Sequence, residues 1–409
     1  MKVLFVSEYY PPQVMGGGEI NLSLLTEALA KRSVEVTVLT SFYQEALRYE
    51  EKKGVKICRF LKTGSKPEGI LTNVQRSYTF PRSVIKEVKC ILKKEKYDLL
   101  HFIGTSVIAA PALRNLGIPL VATIESYPAL CPKGDRIFHG KEECRIRCSF
   151  ASFYSCQKDS KEIGKTKNTA FLKYNPFALS YIYSFHKQLQ RSLPYCNLIA
   201  ISTYMQKLLL QHGFKSSVIP NAIDVQNFKI FRKKENEIPA IVYLGSLIKS
   251  KGPHLALQAV KGLPCHFDLY GDGSLREDLQ KTIEKENIPA TIHQPVPKEK
   301  VPEIYALADM VLFPSLWPEP FGRIAIEAMA AGKPVIASAI GGINETMRWG
   351  GGVLVPPGNV EVLRETIQKL IENKSLRKKM GEEGRKAVIG KYSEDKIIEE
   401  LIHFYHQAK

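Results

Sequence analysis

Apolar positions along this chain fall into short runs that switch repeatedly between two periods. Val3-Leu4-Phe5-Val6 is a continuous apolar run of strand length, and Glu19 to Lys31 then sets Leu22, Leu25, Ala28 and Leu29 on one helical face. Val34 to Thr40 returns to β-branched residues, and apolar runs at Asp98 to Phe102, Pro119 to Ile124 and Leu198 to Ser202 keep the alternation going. A helical pattern over Thr203 to His212 is followed by a further strand-like run at Ser216 to Pro220. Strands alternating with helices in this way predict βα winding on a parallel sheet.

The pattern breaks at residues 229–237, KIFRKKENE, a charged stretch that suits a linker. A second winding starts at Ile238, with strands in AIVYLG, CHFDLYG, TIHQ, MVLFPS and PVIAS separated by helical patterns. The expected organisation is a first domain over 1–225, a linker over 226–237, a second domain over 238–390, and a final helix within 391–409. That helix starts after Ser393 as cap and could return to the first domain. A length of 409 residues also calls for two cores rather than one. Both halves have the doubly wound α/β plan. Two such halves facing one another imply a ligand cleft beyond the carboxyl ends of their strands.

No apolar stretch approaches the roughly 18 residues of a membrane span, and Met1-Lys2 leads directly into a strand rather than a signal-peptide core. A cytoplasmic protein is expected. The formal charge of +17 is uneven: residues 1–200 hold 30 Lys and Arg against 17 Asp and Glu, a balance of +13, and the remainder holds +4. An anionic partner of the first half follows, either substrate phosphates or an acidic membrane face, unless these lysines form an ordinary solvated surface. Basic and aromatic residues are mixed through residues 133–191, which suits either a membrane interface or a buried helix with snorkelling lysines. No nucleic-acid-binding module is visible. Eight cysteines include a cluster, Cys131, Cys144, Cys148 and Cys156, spaced C-x12-C-x3-C-x7-C. It lacks paired C-x2-C knuckles, and metal ligands, disulfides and free thiols all remain open for it.

Candidate chemistry concentrates in WPEPFGRIAIEAMAAG, residues 317–332. Pro318 and Pro320 keep Glu319 out of regular helix, so Gly322, Arg323 and Ile324 are expected to offer backbone N–H groups at a helix N-terminus, where anions bind. Glu327 is the only charge between Arg323 and Lys333 in an apolar helix, and a buried carboxylate requires a partner. Arg323 could pair with it, in the weaker Arg-before-Glu order and worth about half a kcal/mol at a surface. Hydroxyls of a bound ligand are the preferred expectation. Two βα turns add phosphate-binding character. Gly16, Gly17 and Gly18 let backbone amides approach phosphate oxygens, and Lys251 sits on a turn with Gly245, Ser246 and Gly252, where a cation neutralises a diphosphate without a metal. Neither turn is a dinucleotide fingerprint or a Walker sequence.

Glu319, Phe321, Gly322, Glu327 and Ala328-Met329-Ala330 resemble the E-x7-E signature of retaining glycosyltransferases of family 4, which have the GT-B fold of two facing Rossmann-like domains. Gly16, Gly17 and Glu19 resemble the family's Gly-Gly-x-Glu. Gly245, Lys251 and Gly252 resemble its Gly-Arg-x4-Lys-Gly, with Ser246 standing where Arg is usual. Leu269 to Gly273 and Gly341 to Glu345 complete a match dense from 238 to 360.

The resemblance implies a hexosyl donor of UDP or GDP type and no metal or other cofactor. Glu319 would meet the donor sugar, with the amides near Phe321 and Gly322 beside it, and Glu327 the ribose. Lys251, helped by Arg323 and the Gly16 and Gly17 amides, would meet the diphosphate. The acceptor would be a hydroxyl compound, such as a lipid-linked or other anionic glycan precursor. On the acceptor side, Glu125 and Ser126 stand where similar chains read His-Asp before Cys131-Pro132. A nucleotide-sugar epimerase or a phosphorylase of the same architecture is the nearest alternative, and a non-catalytic sugar-binding protein a more distant one.

Overall fold

The computed structural model of the chain describes residues 1–63, 70–140, 142–159, 175–228 and 238–408. Residues 229–237 of the expected linker and 160–174 of the basic and aromatic segment lie outside these. The described chain forms two compact units. One takes the chain as far as Ala222 together with the helix Glu394–Ala408, and the other takes Ile223–Ser393.

The first unit is built on an eight-stranded sheet. In chain order its strands are β1 (Lys2–Val6), β2 (Glu35–Ser41), β3 (Tyr49–Lys52), β4 (Val55–Leu61), β5 (Leu99–Ile103), β6 (Leu120–Ile124), β9 (Asn197–Ala200) and β10 (Ser217–Val218), and a separate hairpin pairs β7 (Ile137–Phe138) with β8 (Glu142–Glu143). The spatial order is β10-β9-β6-β5-β1-β2-β4-β3, parallel except where β3 runs antiparallel to β4. The β3–β4 hairpin is an addition to the expected winding. Its signal is the alternation of Val55, Ile57, Arg59 and Leu61, all buried, with more exposed neighbours, a period of two that a search for fully apolar runs passes over. Buried Arg59 is kept in place by an ion pair with Glu50 at 2.8 Å and by the carbonyl of Pro11 at 3.1 Å.

One face of this sheet is covered by the helix Gly17–Lys31, which buries Leu22, Leu25, Ala28 and Leu29, and by Glu394–Ala408, which buries Ile397, Ile398, Leu401 and Tyr405. Each of these leucine and isoleucine side chains contributes about 1.5–3 kcal/mol on leaving water. The last helix is also tied down by a polar contact. The Tyr405 hydroxyl lies 2.6 Å from His101 Nδ1, and Thr123 Oγ1 lies 2.8 Å from His101 Nε2, so both nitrogens of a fully buried imidazole on β5 are engaged.

The second unit carries a six-stranded, all-parallel sheet of β11 (Ala240–Leu244), β12 (His266–Tyr270), β13 (Ala290–His293), β14 (Met310–Phe313), β15 (Val335–Ser338) and β16 (Gly352–Val355), in the order β13-β12-β11-β14-β15-β16. The winding runs outward from β11 to β13, then restarts at β14 on the other side of β11, with Ile241 opposite Met310 and Val242 opposite Val311. The loops after β11 and β14 therefore leave adjacent strands and diverge. That is the topological switch point at which open α/β sheets bind ligands.

Burial lowers the His101 pKa from 6.5 to about 3, so the folded protein keeps a neutral ring where the unfolded chain takes up a proton. Stability from this group is complete above pH 6.5 and is lost as pH falls from there towards 3, at about 1.4 kcal/mol per pH unit. His101→Gln should flatten the acid limb of stability by close to one proton. Denaturant titrations at several pH values between 7 and 4 check this, and an acid limb as steep as that of the parent protein would refute it.

Candidate functional site

Within the second unit the loop after β11 is fixed first by the Tyr243 hydroxyl, which donates to the Ser246 carbonyl at 2.8 Å. A single 3-10 turn, Lys249–Lys251, follows, and the helix Pro253–Val260 starts after Gly252. Gly252 has φ 73°, and a Cβ there would stand 2.0 Å from the Pro314 carbonyl oxygen, so only glycine lets this turn rest against the end of β14. The two loops are also laced together by hydrogen bonds. The Leu316 and Trp317 amides both donate to the Ser250 carbonyl, at 2.8 and 3.0 Å.

This lacing brings Lys251 to Glu319. Lys251 Nζ lies 2.6 Å from Glu319 Oε1, and the Ser315 hydroxyl donates to the same oxygen at 3.1 Å. The Trp317 ring covers the ammonium at 3.9 Å from its centroid. Glu319 is only 7% exposed, so this ion pair is largely desolvated and either partner alone would be a costly buried charge. The backbone of Glu319 is held from a third loop: the Gly342 amide donates to its carbonyl at 2.7 Å, and a Cβ on Gly341, φ 58°, would fall 2.5 Å from that carbonyl oxygen.

From there the chain enters the helix Arg323–Ala330, with Gly322 at the N-cap position and no side chain capping it. Phe321 is buried edge-on against Tyr392, with centroids 5.6 Å apart. Ile324 borders the β11 loop, since its Cδ1 lies 3.7 Å from where a Cβ on Gly245 would be. Gly245, Ser246, Lys251, Glu319, Phe321, Gly322, Arg323, Ile324 and Glu327 thus all belong to the loops after β11 and β14 and to the helix entered from the second loop.

Glu327 has a protein partner. Arg323 Nε lies 2.7 Å from Glu327 Oε1, and the Tyr305 hydroxyl lies 3.4 Å from Oε2. Of the two kinds of partner the sequence leaves open to Glu327, ligand hydroxyls and Arg323, the structure shows the Arg323 pair, because both side chains are mostly withdrawn from water, which strengthens an order of residues that is weak at a surface. Burial and the Glu327 carboxylate together push the Tyr305 phenol well up. The sequence alone gives Ser315 and Trp317 no role and does not point to Tyr305. Tyr305 sits 22 residues from Glu327 on another helix, where no spacing rule reaches it.

The remaining candidates lie in the first unit. Gly16 is the N-cap residue of Gly17–Lys31, and its amide donates to Glu19 Oε2 at 2.9 Å, with the Met15 amide 3.3 Å from the same oxygen. Burial raises the Glu19 pKa. Glu125, just past β6, brings its carboxylate to this helix start, since a Cβ on Gly18 would meet Oε2 at 2.6 Å; Ser126 follows it on the same loop. Buried Glu8, just past β1, was not anticipated. Thr63 and Thr105 hydroxyls hold its two oxygens at 2.8 and 3.0 Å. The described cysteines are all free thiols, and burial followed by proximity to Cys131, Cys144 and Cys156 pushes the Cys148 thiol up to about 12. In the basic and aromatic segment, the described helix Pro176–Ser192 buries Leu179, His186 and Leu189 and leaves Phe177 86% exposed.

A switch-point loop pair holding a lysine, a carboxylate and an open helix N-terminus is equipped to bind a phosphorylated, hydroxyl-bearing ligand. Comparison with known proteins narrows that chemistry. An uncharacterized glycosyltransferase of Methanocaldococcus jannaschii is 26% identical and aligned over 100% of this chain and 98% of its own length. A capsular polysaccharide biosynthesis glycosyltransferase of Staphylococcus aureus, CapM, is 30% identical over 47% of this chain and 54% of its own. The solved structure of Anabaena HepE in complex with UDP-glucose matches over 100% of both chains with a TM-score of 0.68 at 18% identity, a likeness of fold. Residues 224–387 match the family model of glycosyl transferases group 1, and residues 15–227 match that of Glycosyltransferase Family 4. With two Rossmann-like units of parallel sheet in the GT-B manner and a family match across more than half its length, the chain belongs to Glycosyltransferase Family 4.

Proposed function

We propose that this glycosyltransferase moves a hexosyl group from a UDP or GDP sugar to a hydroxyl of a lipid-linked or other anionic glycan precursor, with retention at the anomeric carbon and without a metal. The observation that carries the proposal is the largely desolvated Lys251–Glu319 pair at the switch point of the second sheet, beside the start of Arg323–Ala330. HepE, crystallised with UDP-glucose, and CapM, named for capsular polysaccharide biosynthesis, support the donor class and the kind of product.

Lys251 is the mobile cation of this scheme. On donor binding its ammonium exchanges Glu319 for the diphosphate, and the released Glu319 carboxylate accepts hydrogen bonds from sugar hydroxyls. Amides at Gly322 and Arg323 take the remaining phosphate and sugar oxygens. Glu327, steadied by Arg323 and Tyr305, accepts from the ribose hydroxyls. The bond from the anomeric carbon to the phosphate oxygen breaks as the bond to the acceptor oxygen forms on the same face. The departing phosphate takes the acceptor proton, and the positive charge at Lys251 offsets the charge that develops on it. In the first unit, Glu125 and Ser126 are assigned to the acceptor side. The balance of +13 in residues 1–200 and the exposed Phe177 favour docking at the cytoplasmic face of an anionic membrane.

Glu327→Gln keeps the side-chain volume and removes the charge. It should weaken nucleotide binding by roughly 5- to 150-fold, the equivalent of about 1–3 kcal/mol for charge-assisted hydrogen bonds. Calorimetric titration with UDP and GDP reads this directly, and parental affinity for whichever nucleotide binds would remove Glu327 from the ribose.

Lys251→Ala should lose on the order of 100-fold or more in transfer while remaining folded, because a phosphate-stabilising cation is worth several kcal/mol in a desolvated site. Turnover within a few-fold of the parent enzyme, in a variant with parental circular dichroism whatever the fall in its melting temperature from the unpaired Glu319, would end the diphosphate assignment.

Vesicles containing anionic lipid should capture the protein at low salt and release it as salt shortens the screening length below about 8 Å, and neutral vesicles should capture far less. Equal partition into both kinds of vesicle would return the basic residues to a solvated surface.

A further inference from the structure

We propose that Cys131, Cys144, Cys148 and Cys156 form a structural binding site for a single zinc ion within the first unit. Their spacing in sequence is uninformative, but the fold gathers all four around one small apolar pocket, closed by Leu130, Ile137 and Phe153. The other four cysteines do not share it.

Backbone amides are directed at two of these sulfurs. Cys131 opens a Cys-Pro-Lys-Gly turn in which the Gly134 amide donates to the Cys131 carbonyl at 3.0 Å, and the amides of Arg136, Gly134 and Lys133 hydrogen-bond to its sulfur. Cys156 Sγ accepts from the His139 amide at 3.2 Å. The β7–β8 hairpin then carries the chain back so that the Cys144 amide donates to the Arg136 carbonyl at 2.7 Å, while the buried Arg136 guanidinium donates to the Cys144 carbonyl.

Four sulfurs with no carboxylate or imidazole among them select a soft cation, and zinc takes four thiolates in a tetrahedron at about 2.3 Å. Among the described residues no three His, Cys, Asp or Glu side chains stand as a ready metal-holding group. The sulfurs of Cys144, Cys148 and Cys156 lie instead 3.9, 3.5 and 3.6 Å from the carbonyl oxygens of Ile146, Ser149 and Ile137. Binding therefore turns these three side chains from their carbonyls into the pocket, and each ligating thiol gives up its proton. The ion would staple a segment whose regular structure is limited to two two-residue strands and the helix Phe150–Asp159.

The full-length protein, produced with added zinc and purified without chelator, should contain about one zinc per chain by plasma emission spectroscopy. A mercurial thiol reagent should release that zinc to a colorimetric indicator as the clustered thiols react. Cys148→Ser, at the most exposed of the four, should lose at least half the metal, and Cys156→Ser should do the same if it folds; Cys90→Ser, outside the cluster, should keep it. Adding zinc back to chelator-treated parent protein should restore both the stoichiometry and any lost melting temperature. Several outcomes would overturn the proposal: negligible zinc with no uptake from micromolar zinc under reducing conditions, iron accompanied by inorganic sulfide, or two disulfides among the four positions. Equal retention of zinc by Cys148→Ser and Cys90→Ser would also overturn it.

Discussion

The second unit depends on a contact between opposite charges that are mostly out of water. Lys251 and Glu319 lie on loops leaving neighbouring strands, and each makes the burial of the other tolerable. Their approach requires the loops to touch, which in turn requires the absence of a side chain at Gly252 against Pro314 and at Gly341 against Glu319. The two glycines and the amide contacts to Ser250 hold these loops against one another. They remove the freedom that would let two costly charges drift apart or back into solvent, so the site is organised before a donor arrives.

On the proposed reading of the site, that arrangement would also give the glycosyltransferase a way to recognise its donor. A lysine already paired with a carboxylate gains little from a single weak anion, because leaving Glu319 exposes a buried charge. A ligand that brings phosphates to Lys251 and hydroxyls to Glu319 compensates both partners together. Under that proposal the selection would be for the combination of groups, which neither free phosphate nor free sugar provides.

Much of this was legible in the chain. Buried parallel strands are apolar along most of their length, so β1, β5, β6, β11 and β14 stand out, and Gly-rich or Pro-rich turns mark where several of them end. Glu319 and Glu327 stand out because charge is rare in their surroundings. What stayed hidden depends on partners distant in sequence. Ser315 and Trp317 look like ordinary loop residues until the loop is folded around Lys251, and Tyr305 reaches Glu327 from a different helix. Arg323 was visible as a partner for Glu327 but was judged by its worth in water, whereas the pair forms at 12–13% side-chain exposure. Glu8 gave no signal because its two hydroxyl partners come from Thr63 and Thr105, beyond β4 and β5.

The helix Glu394–Ala408 completes the core of the first unit through Ile397, Leu401 and the Tyr405–His101 contact. During synthesis the residues of that unit up to Ala222 emerge first, then all of Ile223–Ser393 must be translated before the covering helix exists. At ordinary elongation rates this leaves an apolar strip beside β1 and β5 open for roughly 10–30 s. The nascent first unit is thus a natural client for chaperones, and premature termination anywhere in the second unit would release a chain whose first core cannot close.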